Sequence, residues 1–194
     1  MCLDIIKYPV KAIEKAKKSK NMNATLLVLV EAAVIFGIAL AIVIAKLPLA
    51  GSTMVAALAA AFISGLLLVF VAALFLGLIL HTIAGIVGGK GEYYNALTTV
   101  TYAMVAPVTG ILVAAILSFI PVVGVVVGVI VLALTLGHGL GMLYKSTKEL
   151  YSIDMVSTLV VISALTIAVI GAVWLAAILN ITSVGSFASF MPGR

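Results

Sequence analysis

Charged residues are what this chain has least of. They make up 9% of its 194 residues, against about a quarter in ordinary soluble domains. No water-facing surface can be built from so few. With 65% of residues hydrophobic and a mean hydropathy of +1.40, apolar segments fill the length and leave no room for a second, soluble domain. A single cysteine, Cys2, excludes an internal disulfide and argues against a Cys-based metal site; a lipid modification is the chemistry left to it. Enzyme motifs are missing too. Gly88-Gly89-Lys90-Gly91 lacks the spacing of a nucleotide-binding loop, and there is neither a Gly-x-Ser-x-Gly turn nor a His-Glu-x-x-His pair. The expectation is a protein without enzymatic activity or cofactor.

What is present is apolar sequence in runs long enough to cross a bilayer, which takes about 20 residues at a rise of about 1.5 Å each. Five segments qualify: residues 24–45, 54–85, 96–120, 122–144 and 155–179. The first is longer than the apolar region of a cleaved signal peptide, about 7 to 15 residues, and reads as an anchor. Pro121 joins the third and fourth spans so closely that they form an antiparallel hairpin. The fold class expected is all-α: a polytopic membrane protein, a bundle of five transmembrane helices with an amino-terminal amphipathic interfacial helix. Residues 1–20 form the basic segment, 21–183 the membrane domain and 184–194 a short external tail.

Basic residues are retained on the cytoplasmic side. With the amino terminus inside, the inner segments carry nine: Lys7, Lys11, Lys15, Lys17, Lys18, Lys20, Lys90, Lys145 and Lys148. The outer segments carry two, Lys46 and Arg194. The carboxyl terminus is then outside. The net charge of +5 belongs to a segment and not to a surface, which points to anionic lipid and away from nucleic acid.

Within residues 3–20, Pro9 suits a first helical position, and Lys11, Lys15 and Lys18 recur at helical spacing while Ile6, Val10 and Ile13 supply an apolar face. Such a helix would lie along the inner leaflet with its lysines toward head groups. A disordered basic flank that orients the first span is the simpler alternative. In the fourth span, Gly124 with Gly128 and Gly137 with Gly141 have the spacing that lets helices pack closely, within one chain or in a homodimer.

Three ionisable residues fall inside the spans: Glu31, His81 and His138. Each lies seven residues from the inferred inner boundary, a depth of about 10 Å, and Tyr102 falls near the same level. If their faces converge, a carboxylate, two imidazoles and a phenol meet in the inner half of the bundle. They could carry protons or bind a cation, and Glu with two His is also a ligand set for zinc or another transition metal. Alternatively, Glu31 is neutralised by a histidine or tyrosine and fixes helix register. The first span has no polar side chain beyond Glu31 as far as Ala45, which favours a closed inner pocket over a through pore.

The opening Tyr8-Pro9-Val10-Lys11-Ala12-Ile13 is similar to that of the Yip domain family. So is the loop Gly88-Gly89-Lys90-Gly91-Glu92-Tyr93-Tyr94 followed by Tyr102 and Pro107 in a span. The chain resembles the shorter prokaryotic branch of these integral membrane proteins, which are named for interacting with Ypt and Rab GTPases. The resemblance implies a five-helix fold without known enzymatic activity, with roles in traffic, membrane shaping and GTPase binding among eukaryotic members. The Asp-Leu-Tyr-Gly-Pro signature and the long cytosolic amino-terminal region of eukaryotic relatives are absent, so the likeness does not extend to Rab binding and the setting implied is a prokaryotic cell membrane. Two functions follow as expectations. One is organisation of the bilayer or of a cytoplasmic protein partner. The other is a small proton- or cation-linked transporter or channel using Glu31, His81 and His138.

Overall fold

Lipid supplies no hydrogen-bond partner, so a segment that crosses it must satisfy its backbone internally, and a helix does so residue by residue. In the computed structural model, which describes residues 2–47 and 51–188 (without the side chains of 172, 173 and 175–188), every described element is an α-helix. They are α1 (Cys2–Lys7), α2 (Pro9–Ser19), α3 (Met22–Ile44), α4 (Gly51–Ile86), α5 (Tyr93–Leu117), α6 (Val123–Tyr151) and α7 (Met155–Ala188). Pro48, Arg194 and the end of the expected tail, 189–194, lie outside the described residues.

Local chemistry sets several of the boundaries. The Asn21 side chain accepts a hydrogen bond from the Ala24 N–H at 3.2 Å and so starts α3. Asp154 does the same ahead of α7, accepting from Ser157 N–H at 3.2 Å. Pro9 occupies the start of α2 and splits the expected single amphipathic helix at Tyr8. Hydropathy alone misplaces other ends. The helix α6 runs on through Lys145 and Lys148 to Tyr151, so most of the stretch between the fourth and fifth expected spans is its last two turns. Where charge replaces apolar residues the span ends, but the helix need not.

Four helices, α3 to α6, are long and apolar enough to cross a membrane, and the searched part of α7, Met155–Gly171, is a shorter apolar helix. They alternate in direction. The start of α3, the α4–α5 loop, the start of α5 and the end of α6 meet at one end of the bundle, where Lys20 reaches Glu92 at 2.8 Å and Lys90 N–H donates to Tyr151 C=O at 3.2 Å. At the other end Lys46 Nζ donates to Ser118 Oγ and lies 4.7 Å from the Phe119 ring centroid. Large apolar side chains such as Leu67, Phe75, Val129 and Leu134 face outward, as lipid requires.

The central element is α5, packed against α1, α3, α4 and α6. Its approach to α6 depends on small residues. A Cβ on Gly139 would lie 2.7 Å from Ala103 O and 2.8 Å from Pro107 Cγ, so the ring of the proline inside α5 occupies the space a side chain would need. Gly124 and Gly128 face the hairpin's own α5 side, where their added Cβ atoms would meet Leu117 and Ala114, whereas those on Gly137 and Gly141 would have nothing within 4 Å among the described residues. The helices α3 and α4 cross in the same manner, with Gly65 against the Gly37 backbone. We therefore expect Gly139→Val to destabilise the bundle by about 1–3 kcal/mol through overpacking. Gly137→Val should leave the thermal midpoint in detergent within a few degrees of the parent. Equal losses in the two variants would contradict the close α5–α6 crossing.

Candidate functional site

The amphipathic segment buries its apolar face on protein. Ile5, Ile13 and Ala16 are buried against Val28, Tyr102, Val105, Met142 and Leu150, while Lys7, Lys11, Lys15, Lys17, Lys18 and Lys20 are exposed. Ile13 is 1% exposed, but Val10, expected on the same face, is 42% exposed. The segment is thus docked on the bundle and does not float on it. Two ion pairs hold its carboxyl-terminal end, Lys17 to Glu149 at 3.6 Å and Lys20 to Glu92 at 2.8 Å. Each joins exposed groups and is individually weak.

Glu31 holds the other end. Its Oε2 accepts a hydrogen bond from the Cys2 backbone N–H at 2.8 Å, and Cys2 Sγ lies 3.8 Å from Val28 C=O. A half-buried carboxylate in a span needs such donors, and the first turn of a helix offers a free N–H. Burial first, and then Glu31, push the Cys2 thiol up to about 12. That makes it a poor nucleophile and a poor substrate for lipid modification while docked.

The other expected members of the cluster have different surroundings. His81 Nδ1 shares a hydrogen bond with the Tyr151 hydroxyl at 3.2 Å and meets the Tyr93 ring edge-on at 6.2 Å between centroids. Tyr151 is fully buried, and the loop Gly88-Gly89-Lys90-Gly91 folds over it. A Cβ on Gly91 would lie 2.5 Å from its ring, and Gly88 adopts φ +85. The family-like loop is therefore a cover for a buried tyrosine. His138 Nε2 is buried without a hydrogen-bond partner among the described residues. Among the described residues no group of three His, Cys, Asp or Glu side chains could hold a metal ion. Glu31 and His81 are thus engaged by separate partners, and only Tyr102 shares the apolar cluster around Cys2 and Val28 that flanks Glu31.

Between α2 and the first turns of α3 and α5 lies a cavity of about 300 Å³, with Lys11, Lys15, Tyr8 and Asn21 among its polar lining and Val28, Tyr94 and Tyr102 deeper along the helices. Tyr94 Oη donates to Ala16 C=O at 3.4 Å. A layer of hydroxyls that sequence reasoning passed over lies beside it. Thr25 and Thr98 share a hydrogen bond of 3.0 Å, Asn95 donates to Leu150 C=O at 3.1 Å, and the hydroxyls of Thr99, Thr101 and Thr147 are buried with no partner among the described residues. The signal was present in the run Asn95 to Tyr102, four of whose eight residues are Asn or Thr inside a span.

Two outcomes follow. Removing the acceptor in Glu31→Ala should free α1 and raise the rate at which iodoacetamide alkylates Cys2 at pH 8 by at least tenfold. The ceiling is about a thousandfold, set by the lowered thiolate fraction; an unchanged rate would mean that Glu31 does not hold α1. The second concerns pH. The Lys20 hydrogen bond holds the Glu92 carboxyl below its ordinary value of 4.5, and Glu92 in turn raises Lys20. A depressed carboxyl stabilises the fold above its unfolded pKa and loses that contribution as pH falls through the folded value. Any difference in thermal midpoint between the parent and Glu92→Gln at pH 7 should thus vanish once the pH is well below 4.5, a comparison that scanning fluorimetry can make.

No curated protein and no solved structure gives a match. The Yip1 domain matches residues 3–187, from the second residue of α1 to the last residues of α7, so the match spans both the docked amino-terminal segment and the membrane helices. The chain belongs to the Yip1 domain family.

Proposed function

We propose that this chain is a non-enzymatic membrane organiser of the Yip type, with its amino terminus in the cytoplasm of a prokaryotic cell and its basic end against the inner leaflet. The observation that carries the reading is the docking of α2. Burial of Ile13 and Ala16 with ion pairs to Glu149 and Glu92 fixes the helix, and Lys11, Lys15 and Lys18 stay exposed along it. Lys90 and Lys148 are exposed at the same end. A fixed array of ammonium groups attracts anionic lipid, each worth roughly 1 kcal/mol near such a surface. The same surface is where a cytoplasmic protein partner would bind. Family membership supports an integral membrane protein of the Yip type, and a membrane-organising role is the reading that joins it to this surface. GTPase binding is not part of the proposal. Gly137 and Gly141, beside which an added Cβ would have nothing within 4 Å among the described residues, are where a second copy could pack. The transport alternative gains no support from the separate partners of Glu31 and His81.

The test uses the whole chain in nanodiscs of mixed phosphatidylglycerol and phosphatidylcholine. Lipid next to the protein should be enriched several-fold in phosphatidylglycerol, and Lys11→Gln, Lys15→Gln and Lys18→Gln together should remove most of that enrichment without changing the melting midpoint. Enrichment that survives the triple change would sink the proposal. Orientation is checked separately in a Cys2→Ser background: an impermeant maleimide should label Lys46→Cys but not Lys90→Cys in intact cells.

A further inference from the structure

The cavity beneath α2 has a composition that a general basic surface does not need. Lys11 and Lys15 stand one helical turn apart, both line it, and neither has a carboxylate partner among the described residues. A single carboxylate, Asp4, lines the same space. At its inner end Tyr102 is 7% exposed, and its hydroxyl makes no hydrogen bond among the described residues. A phenol hydroxyl left free by the protein is available to a molecule held in the same space. Val28 and Ala24, on the first turns of α3, provide an apolar wall between the lysines and the interior. A volume of about 300 Å³ is at the lower end for a small-molecule pocket.

From these features we propose that the cavity is a binding site for one phosphate-ester anion. Lys11 and Lys15 hold the phosphate at the mouth, and the Tyr102 hydroxyl bonds to an ester or hydroxyl oxygen of the same molecule further in. That chemistry is shared by an anionic lipid headgroup and a soluble phosphate ester. The site deepens the reading of a lipid-facing basic surface and rests on it, but differs in being saturable at one molecule per chain and in depending on two particular lysines.

The experiment titrates the purified full chain, in a neutral detergent, with dihexanoylphosphatidylglycerol, dihexanoylphosphatidylcholine or glycerol 3-phosphate, counting bound molecules by native mass spectrometry. One phosphatidylglycerol should bind per chain at saturation. Lys11→Gln with Lys15→Gln should weaken it at least tenfold and Tyr102→Phe, which removes only an oxygen, about threefold to fivefold. Lys7→Gln with Lys18→Gln, an equal loss of charge outside the cavity, should change it less than twofold. Binding of phosphatidylglycerol alone assigns the site to a lipid, and equal binding of glycerol 3-phosphate assigns it to a soluble ester; both support the anion site. Equal loss in the two lysine pairs, equal binding of phosphatidylcholine, or an unchanged Tyr102→Phe would overturn it. The first of these would leave the diffuse basic surface standing, because nanodisc enrichment would still respond to the lysines, so the two readings fail separately.

Discussion

Hydrocarbon cannot accept or donate a hydrogen bond, and the arrangement of this bundle follows from where its polar side chains have to go. The first turns of α5 carry Asn95, Thr98, Thr99, Thr101 and Tyr102, all buried. A helix with so polar a wall is stable in a membrane only if other helices surround it, and α1, α3, α4 and α6 do so. The pairs that result are weak individually. Hydroxyl contacts such as Thr25 with Thr98 contribute on average about 0.6 kcal/mol in measured membrane proteins. Their larger effect is to exclude arrangements in which α5 turns that face to lipid.

Lipid offers no hydrophobic driving force between helices, so close packing has to hold the assembly together. That explains why α5 meets α6 where Gly139 accommodates Pro107 and why α3 meets α4 glycine to glycine. It also explains the amino-terminal segment. Lipid and protein compete for the apolar face of α2, and protein wins because Ile13 and Ala16 fit against Val28, Tyr102 and Leu150 while Glu149 and Glu92 pair with the lysines at the end of the same helix.

Composition and hydropathy made the helical membrane architecture legible, since nothing else can be done with so apolar a chain, and the loop and span residues around Tyr94, Tyr102 and Pro107 carried the family. The depth of Glu31, His81 and His138 could be counted along the chain, but azimuth could not. Successive residues rotate by about 100° around a helix, so equal depth is compatible with opposite faces. Azimuth is decided by packing between helices: His81 turns to Tyr151, whereas Glu31 turns to the first turn of α1. Helix ends were hidden for a related reason. Lys145 and Lys148 end the apolar run, yet Leu150 and Tyr151 in the next turn are buried and keep the helix going. The threonines of α5 escaped notice because threonine counts as nearly neutral in hydropathy, and its importance appears only once burial is known.

The docked segment changes what the basic charge can do. Lysines on a disordered flank adapt to any anionic surface and pay conformational entropy to do so, which favours avidity over selectivity. Lysines on α2, in a segment whose first helix is held by Glu31 and whose far end is held by the Glu149 and Glu92 pairs, present a constant spacing. The ordering of the backbone that carries them is then met by folding and not by binding. A preorganised array of this kind can distinguish one arrangement of phosphates from another. Since Glu31 lies within a span and its partner is the first turn of α1, that selectivity depends on a contact made inside the membrane domain. On the proposed function, the intramembrane carboxylate has a purpose that needs neither transport nor catalysis: it fixes the position of the basic surface proposed to meet the inner leaflet.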